Sequence, residues 1–486
     1  MRRKFFSLMA AMTVVTGCVT PQEPQWPLRH GTSTNTDYVD IDGPRSLRPA
    51  WFLGPGAPIG TFVAIGGSGT LYSHSYNGAG TPEGPNAGCR LWALEAHTGN
   101  VRWCRRDVAP SLTSLALTAN EDVIVTDGQF LWSFSKGGAI NWKTGVETES
   151  SSVTLMPGGE ILVADYDGTL RMYDPANGRE ISEAFRLEAA RNPVGPFSGF
   201  EATGQLFTGV APEYKDRMIQ NFFGYDRVIK DMPMVHPVTE RIFIAANGET
   251  PEEGRLWALN FERSGDDSAA GRFDVHCSTA MGPASDTSPA LSADGQRVYA
   301  AATGRLYAFS TEDCTLVWEI LRPGYAASSP AVAPDGGVYL MSERSIDAYR
   351  DFGSAAEPLW SVPARQLADT FGVKDGVFDS VAIISRSYLY VSMSLGVQAT
   401  GYIVPVAHRL IVIDRATGEM VSSTSLGEES DSTPSLANDG WIYVPTKALA
   451  RGHAISMRIA GLEDETLKAI PIRRPETGIY AFRPVE

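Results

Sequence analysis

The sequence predicts an all-β protein, one closed ring of four-stranded sheets. Three observations lead there. Residues 286–320 break into four short runs rich in aromatic and β-branched side chains, each bounded by turn formers. The unit recurs at a steady spacing. Tyr307 to Tyr349 and Trp318 to Trp360 are both 42 residues, while Trp92 to Trp132, Trp132 to Tyr173 and Trp103 to Trp142 are 40, 41 and 39. Beyond the N-terminus no long stretch has helical apolar periodicity, and 48 Gly and 31 Pro suit a chain of many turns. A period of about 40–45 residues with four strands is that of a β-propeller blade. One such sheet cannot cover its own faces, whereas a ring of them can, leaving few open edges.

Within the reference unit, Ser288–Ser292 forms the first strand and Asp294-Gly295 the first turn, where Gly tolerates a positive φ. Arg297–Ala301, Leu306–Phe309 and Leu316–Ile320 follow as strands two to four. The same reading places blade one at 58–106, two at 111–144, three at 150–182, five at 286–320, six at 327–362 and seven at 378–424. Blade four is irregular, somewhere in 195–277. Blade eight runs from Ser432 to Phe482 and lacks a fourth strand, which the orphan strand around Trp51 can supply. That closure joins the two ends of the ring. The count is eight blades, with seven the alternative because of blade four. The 486 residues divide into 1–17, a leader; 18–45, a tether; and 46–486, the ring.

The leader has Arg2, Arg3 and Lys4 before a short apolar run, Phe5–Val15, too short to span a bilayer. It ends in Val15-Thr16-Gly17-Cys18, which resembles the bacterial lipobox. The resemblance implies cleavage before Cys18 and a diacylglycerol on its thiol. Val19 in the next position implies the outer membrane, on its periplasmic side. Acyl chains contribute about 0.8 kcal/mol per buried CH₂, so the Cys18 lipid is the expected membrane contact. Removing 1–17 takes away three cations and no acid, moving the formal charge from −15 to −18. Such a chain is no general partner for nucleic acid or anionic lipid.

Four further cysteines lie in a compartment that permits disulfides. Cys89 and Cys104 flank the turn His97–Asn100 and should face each other across one hairpin. Cys277 and Cys314 either bridge adjacent blades or stay as buried thiols.

The motif A-x-x-x-x-T-G-x-x-x-W appears from Ala93 to Trp103 and less completely from Ile413 to Val421; blades five and six keep the Trp and lose the Thr-Gly. It resembles the PQQ-type repeat of quinoprotein alcohol dehydrogenases and of the BamB lipoproteins, over most of 46–486. Residues Trp26–Gly31 and Asn35–Tyr38 resemble the lead-in before such propellers. Physically, Gly supplies the turn. Trp103, Trp142, Trp318 and Trp360 should pack between blades, each satisfying its single N–H at a backbone carbonyl.

Second-to-third strand connections all emerge on one face. Most are minimal, such as Thr126–Gln129. Long insertions occur at 74–88 (Tyr76), 395–408 (Tyr402, His408) and 446–477 (Lys447, Arg451, His453, Arg458, Arg473, Arg474). They belong to blades one, seven and eight, consecutive in the closed ring, and should form a wall for a partner. Aromatics between Phe197 and Tyr225 could add a lobe opposite.

Chemical motifs are sparse. There is no CxxCH for c-type haem, no HExxH, no G-x-S-x-G and no adjacent Cys pair of the kind quinoprotein dehydrogenases place against their quinone. The seven His are scattered and suit turns or the surface. Asp165–Gly168 starts like a calcium loop without its distal Glu, and Gly66–Gly69 precedes no helix; both are turns. No catalytic or metal residue is assigned. The expected function is a lipid-anchored, non-enzymatic scaffold binding another envelope protein through the long-loop face. The repeat class also permits a PQQ- and calcium-dependent dehydrogenase, and any propeller permits a hydrolase or small-ligand binder, since fold does not fix function.

Overall fold

The protein is described from a computed structural model. It covers residues 23–485 apart from 55–61, 76–87, 110–113, 147–149, 192–226, 230, 251, 266–269, 284–286, 323–327, 343, 400–401, 429, 431 and 447–476. Eight sheets of antiparallel strands form the ring. Blade one is Ala64–Ile65, Thr70–His74, Leu91–Glu95 and Val101–Arg105. Blade two starts at Ala116–Leu117, blade three at Ser150–Leu155, blade five at Ala290–Leu291 and blade six at Ala331–Val332. The irregular fourth blade is Met234–Val235, Ile242–Asn247, Gly254–Glu262 and Arg272–Met281. The ring is therefore eight-bladed. One helix, α1 (Ala364–Thr370), is the sole α-helix among the described residues.

Closure follows the expected route. Leu47–Leu53 pairs with Ile479–Pro484, Trp51 lying opposite Ala481, and becomes the fourth strand of blade eight. Burial follows position in each sheet. Middle strands such as Leu131–Phe134 and Ile161–Asp165 are buried, because neighbouring blades cover both faces, while fourth strands such as Ile140–Gly145 alternate at the rim.

Seven blades share one register detail. A β-bulge separates the third and fourth strands directly after a fixed pair: Ala93 with Trp103, Ser133 with Trp142, Ala258 with Cys277, Ala308 with Trp318, Ala348 with Trp360, Val412 with Ser422, and Ala481 with Trp51. The bulge aims that fourth-strand residue at the next blade. Trp51, Trp103, Trp142 and Trp360 land on the turn glycine of the following blade and donate Nε1–H to a backbone carbonyl there, at Ala96, Lys136, Pro175 and Arg415 (2.8–3.0 Å). A Cβ on Gly99, Gly138, Gly178 or Gly418 would come within 2.3–2.7 Å of the indole, and all four glycines have φ of +71° to +84°. Flat ring contact and a left-handed turn together demand glycine. Trp318 departs from the pattern, donating to the Asp351 carboxylate at 3.1 Å.

The tether expected over 18–45 is corrected for its described part. Residues 25–39 run inside the ring. Successive backbone bonds tie Trp26 to Ile65, Pro27 to Leu117, Ser33 to Val235, Thr34 to Leu291, Thr36 to Val332 and Asp37 to Ile384. Each partner is the second residue of an innermost two-residue strand. The segment thus circles the axis at the end where first strands turn into second strands. Trp26 and Leu28 are buried, as are the polar His30, Asn35 and Asp37. The reason is local: a short inner strand leaves N–H groups facing the axis, and this strap satisfies six blades' worth of them.

Candidate partner face and axial seal

Strand direction gives the ring two unlike faces. First-to-second and third-to-fourth turns emerge on one, the turn face, and second-to-third connections on the other, the long-loop face.

The long-loop face is pinned where it is described. His74, at the end of a second strand, is buried, and burial pushes its pKa down to about 4, so it is neutral at pH 7. Its Nε2 lies 3.2 Å from the Ala109 carbonyl. Asp127 accepts from the N–H groups of Ala109, Gln129 and Phe130 and from Trp132 Nε1, shaping the minimal loop of blade two. Asp165 receives Arg171 at 2.7 Å, and Asn247 Nδ2 donates to Ala190 and Arg227 carbonyls. Asp165–Gly168 is a hairpin turn, with Gly168 at φ +90°.

The blade-seven insertion is not a loop. Tyr388–Ala399 and Tyr402–Asp414 continue as one long hairpin, paired from Tyr388↔Asp414 out to Ala399↔Tyr402. Asp375–Phe378 pairs with its outer half, and α1 packs beneath through Leu367 and Ala368 against Phe378, Met393 and Leu395. The expectation of an extended loop here is corrected to a paired flange, because residues 389–395 alternate as a strand does and find both a partner strand and an apolar floor.

His408 is likewise corrected. It was expected on the partner surface but is 6% exposed in the flange base. Its Nδ1 lies 2.8 Å from Ser394 Oγ, its cross-strand partner; Ser394 Oγ also donates to Asp379 Oδ2 at 2.6 Å, and His408 Nε2 sits 3.5 Å from Glu428 Oε1. Sequence reasoning missed Ser394, Asp379 and Glu428. The available signal was a polar residue facing a polar residue inside an otherwise apolar hairpin. Tyr76, Lys447, Arg451, His453 and Arg458, the side chain of Tyr402, the 197–225 aromatics and Cys18 lie outside the described residues.

The axial seal holds a second buried cluster, also unexpected, since His30 was read as a turn or surface residue. His30 Nδ1 is 2.8 Å from Asp37 Oδ2, and its Nε2 is 3.4 Å from Ser329 Oγ and 4.0 Å from Asp231 Oδ2. Burial alone would lower the imidazole pKa, but the carboxylates of Asp37 and Asp231 outweigh it and the pKa is raised. Asp231, bonded to Arg29 at 2.6 Å, is held at about 2: burial would raise it, and the Arg29 and His30 charges overcome that. Burial pushes the Asp37 carboxyl up. Asn35 Nδ2 donates to the Pro233 and Pro289 carbonyls, joining strap to blades four and five. His30, Asn35 and Asp37 are buried, and Asn35 Oδ1 and Asp37 Oδ1 have no hydrogen-bond partner among the described residues.

Both cystines are formed. Cys89–Cys104 crosses the blade-one hairpin, with Cα atoms 5.6 Å apart, and Cys277–Cys314 links blades four and five at 5.9 Å. Neither is an adjacent pair against the axis. Among the described residues no three His, Cys, Asp or Glu side chains converge as metal ligands. The described residues therefore do not fit a quinone–calcium site, and no step is derived through one. No helix among them is long and apolar enough to cross a membrane.

The fold is an eight-bladed β-propeller. Residues 45–193, the closing strand and the first three blades, match the family model described as outer membrane protein assembly factor BamB. No curated protein matches the chain in sequence. Among solved structures, it is similar to BamB from Moraxella catarrhalis (TM-score 0.52, 11% identity, 90% of this chain and 100% of that one). It is also similar to a europium-containing methanol dehydrogenase (0.58, 12%, 96% and 98%). A third is the quinohemoprotein alcohol dehydrogenase ADHIIG from Pseudomonas putida HK5 (0.59, 13%, 94% and 80%). At these identities the structural likeness shows the fold alone.

Proposed function

We propose that the chain is a lipid-anchored envelope propeller that works as a non-enzymatic scaffold, binding another envelope protein through its long-loop face. The observation that carries this is the blade-seven flange. It is a ridge built from paired strands over a helix, with Ser394 and His408 buried at its base and Val406 exposed at 62% on its flank. A ridge of paired strands suits recognition of a protein surface, because backbone already hydrogen-bonded loses little order on binding. The match of residues 45–193 to an outer-membrane assembly factor supports the same reading. The Cys18 lipid and the periplasmic side of the outer membrane belong to the proposal. A photo-crosslinking residue at Val406 in intact envelopes is expected to trap one envelope protein. Absence of any adduct there, with adducts at the turn-face residue Val238 instead, would overturn the assignment of the face. Titration of the purified protein with PQQ and Ca²⁺ is expected to give no bound quinone absorbance.

A further inference from the structure

We infer that the ring stands on the bilayer by its turn face, with the long-loop mouth and the flange directed away from the membrane. The surface it meets is a zwitterionic phospholipid one. The inference rests on Cys18 as the lipid-bearing residue and concerns what the structure does with that anchor.

The argument starts from where the strap enters. Gln25 N donates to the Ile65 carbonyl at 2.9 Å, Trp26 N to the same oxygen at 3.1 Å, and Ile65 N to the Trp26 carbonyl at 3.0 Å. Gln25 Oε1 accepts from Asn438 N at 2.9 Å. Ile65 ends the innermost strand of blade one, and Asn438 lies in the first turn of blade eight. Both positions belong to the turn face, close to the axis. Trp26 is 1% exposed, with its ring over Gly31, so the chain is clamped from this point onward.

Seven residue steps separate Cys18 from Gln25, where the ties to the ring begin, a reach of about 24 Å when fully extended. To lay the long-loop face on the bilayer, that leash would first run from the innermost strand to the rim. Three strand spacings make this about 14 Å. It would then climb the height of a five-residue strand, about 17 Å more. The sum exceeds the leash by about 7 Å. Standing on edge would consume more than half of it. The turn-face orientation consumes least.

Charge selects the kind of surface. Asp294, Glu312, Asp313, Asp335 and Asp439 are exposed on the turn face; Arg297, Arg415 and His97 pair there with Asp294, Asp335 and Asp439, which leaves Glu312 and Asp313. An anionic bilayer would repel them, so the leash, and not attraction, keeps this face near neutral headgroups.

The test uses residues 18–486, which contain every described residue and leave Cys18 as the one thiol outside the two cystines. Cys18 is coupled to a maleimide lipid in phosphatidylcholine–phosphatidylethanolamine vesicles carrying a headgroup quencher. A dye is placed by a non-natural residue at Glu312 on the turn face or at Glu252 on the long-loop face. At least threefold stronger quenching at 312 is expected, and inserting twenty Gly/Ser residues after Gln22 should erase the difference. Equal or reversed quenching with the native leash would overturn the orientation. In cells, Cys18→Ser is expected to leave the membrane fraction. Its retention there would overturn the lipid assignment, while the vesicle measurement still judges the geometry.

Discussion

Between blades two and three, Trp142 lies flat on Gly178; between blades four and five, Cys277 is bonded to Cys314. The two seams are the same place in the repeat. Cys277 holds the register position of the indole, opposite Ala258 and just before the bulge, as Trp142 lies opposite Ser133. Cys314 is four residues before Trp318, as Gly99 is before Trp103, and it adopts φ +59° where Gly99 has +71°. The left-handed conformation costs a non-glycine residue about 1–2 kcal/mol. The covalent link offsets that. One seam is closed by apolar area and a hydrogen bond, the other by a bond that needs neither. The ring therefore requires a fixed distance between blades at this level rather than any particular chemistry.

Breaking the indole seam should have the largest effect. Trp142→Ala removes a 9%-exposed side chain and is expected to cost about 4 kcal/mol in urea unfolding. A loss below about 1 kcal/mol would mean that the dock does not hold the seam. Replacing both Cys277 and Cys314 by Ala opens a link spanning 37 residues and should cost about 3–4 kcal/mol. The sharper experiment is Cys277→Trp with Cys314→Gly, which should recover more than half of that loss. Stability no better than the Ala pair would show that the two seams are not interchangeable.

Acid should separate the seams from the axial seal. The Trp142–Gly178 dock contains no titratable group, whereas the seal contains His30, Asp37 and Asp231. Asp231 is depressed to about 2 from an ordinary value near 3.8. Its contribution is fully present above pH 4 and is lost as pH falls through about 2, roughly 2 kcal/mol in all. His30 is raised, so its contribution is present below pH 6.5 and is lost as pH climbs through its folded value. Hydrogen exchange at Gly31 and Asp37 should therefore speed up at pH 2–3 before exchange at Gly138 does. Simultaneous loss would refute the separation. The smallest expected effect is at the blade-five seam. Asp351 accepts there from Arg297, Tyr299, Trp318 and Gly353, so Trp318→Phe removes one of four bonds for about 1 kcal/mol by thermal unfolding.

The indole seams were legible because their signal is local: a Thr-Gly turn and a Trp four residues later. The sequence reading placed Trp103, Trp142 and Trp360 between blades and Trp51 in the closing strand; it named no carbonyl partner, and it expected one for Trp318, which donates to the Asp351 carboxylate. It misread the strap over 25–39, since an extended segment that hydrogen-bonds with six inner strands carries no periodicity of its own. His408 was misread for a similar reason. Its burial depends on Ser394 and Glu428, which reach it only once the hairpin is paired.

Spacing and turn chemistry in the chain were enough to dictate repeated sheets and the mating of residues 47–53 with 479–484, because each blade is a local unit whose strands are neighbours in sequence; the irregular fourth blade left eight or seven open until the ring was seen. Folding in three dimensions decided which mouth the strap closes, which histidines lose contact with water, and that a cystine could stand in for an indole on glycine. Those outcomes depend on distances between residues tens to hundreds of positions apart, and backbone groups find such partners only when the ring has closed.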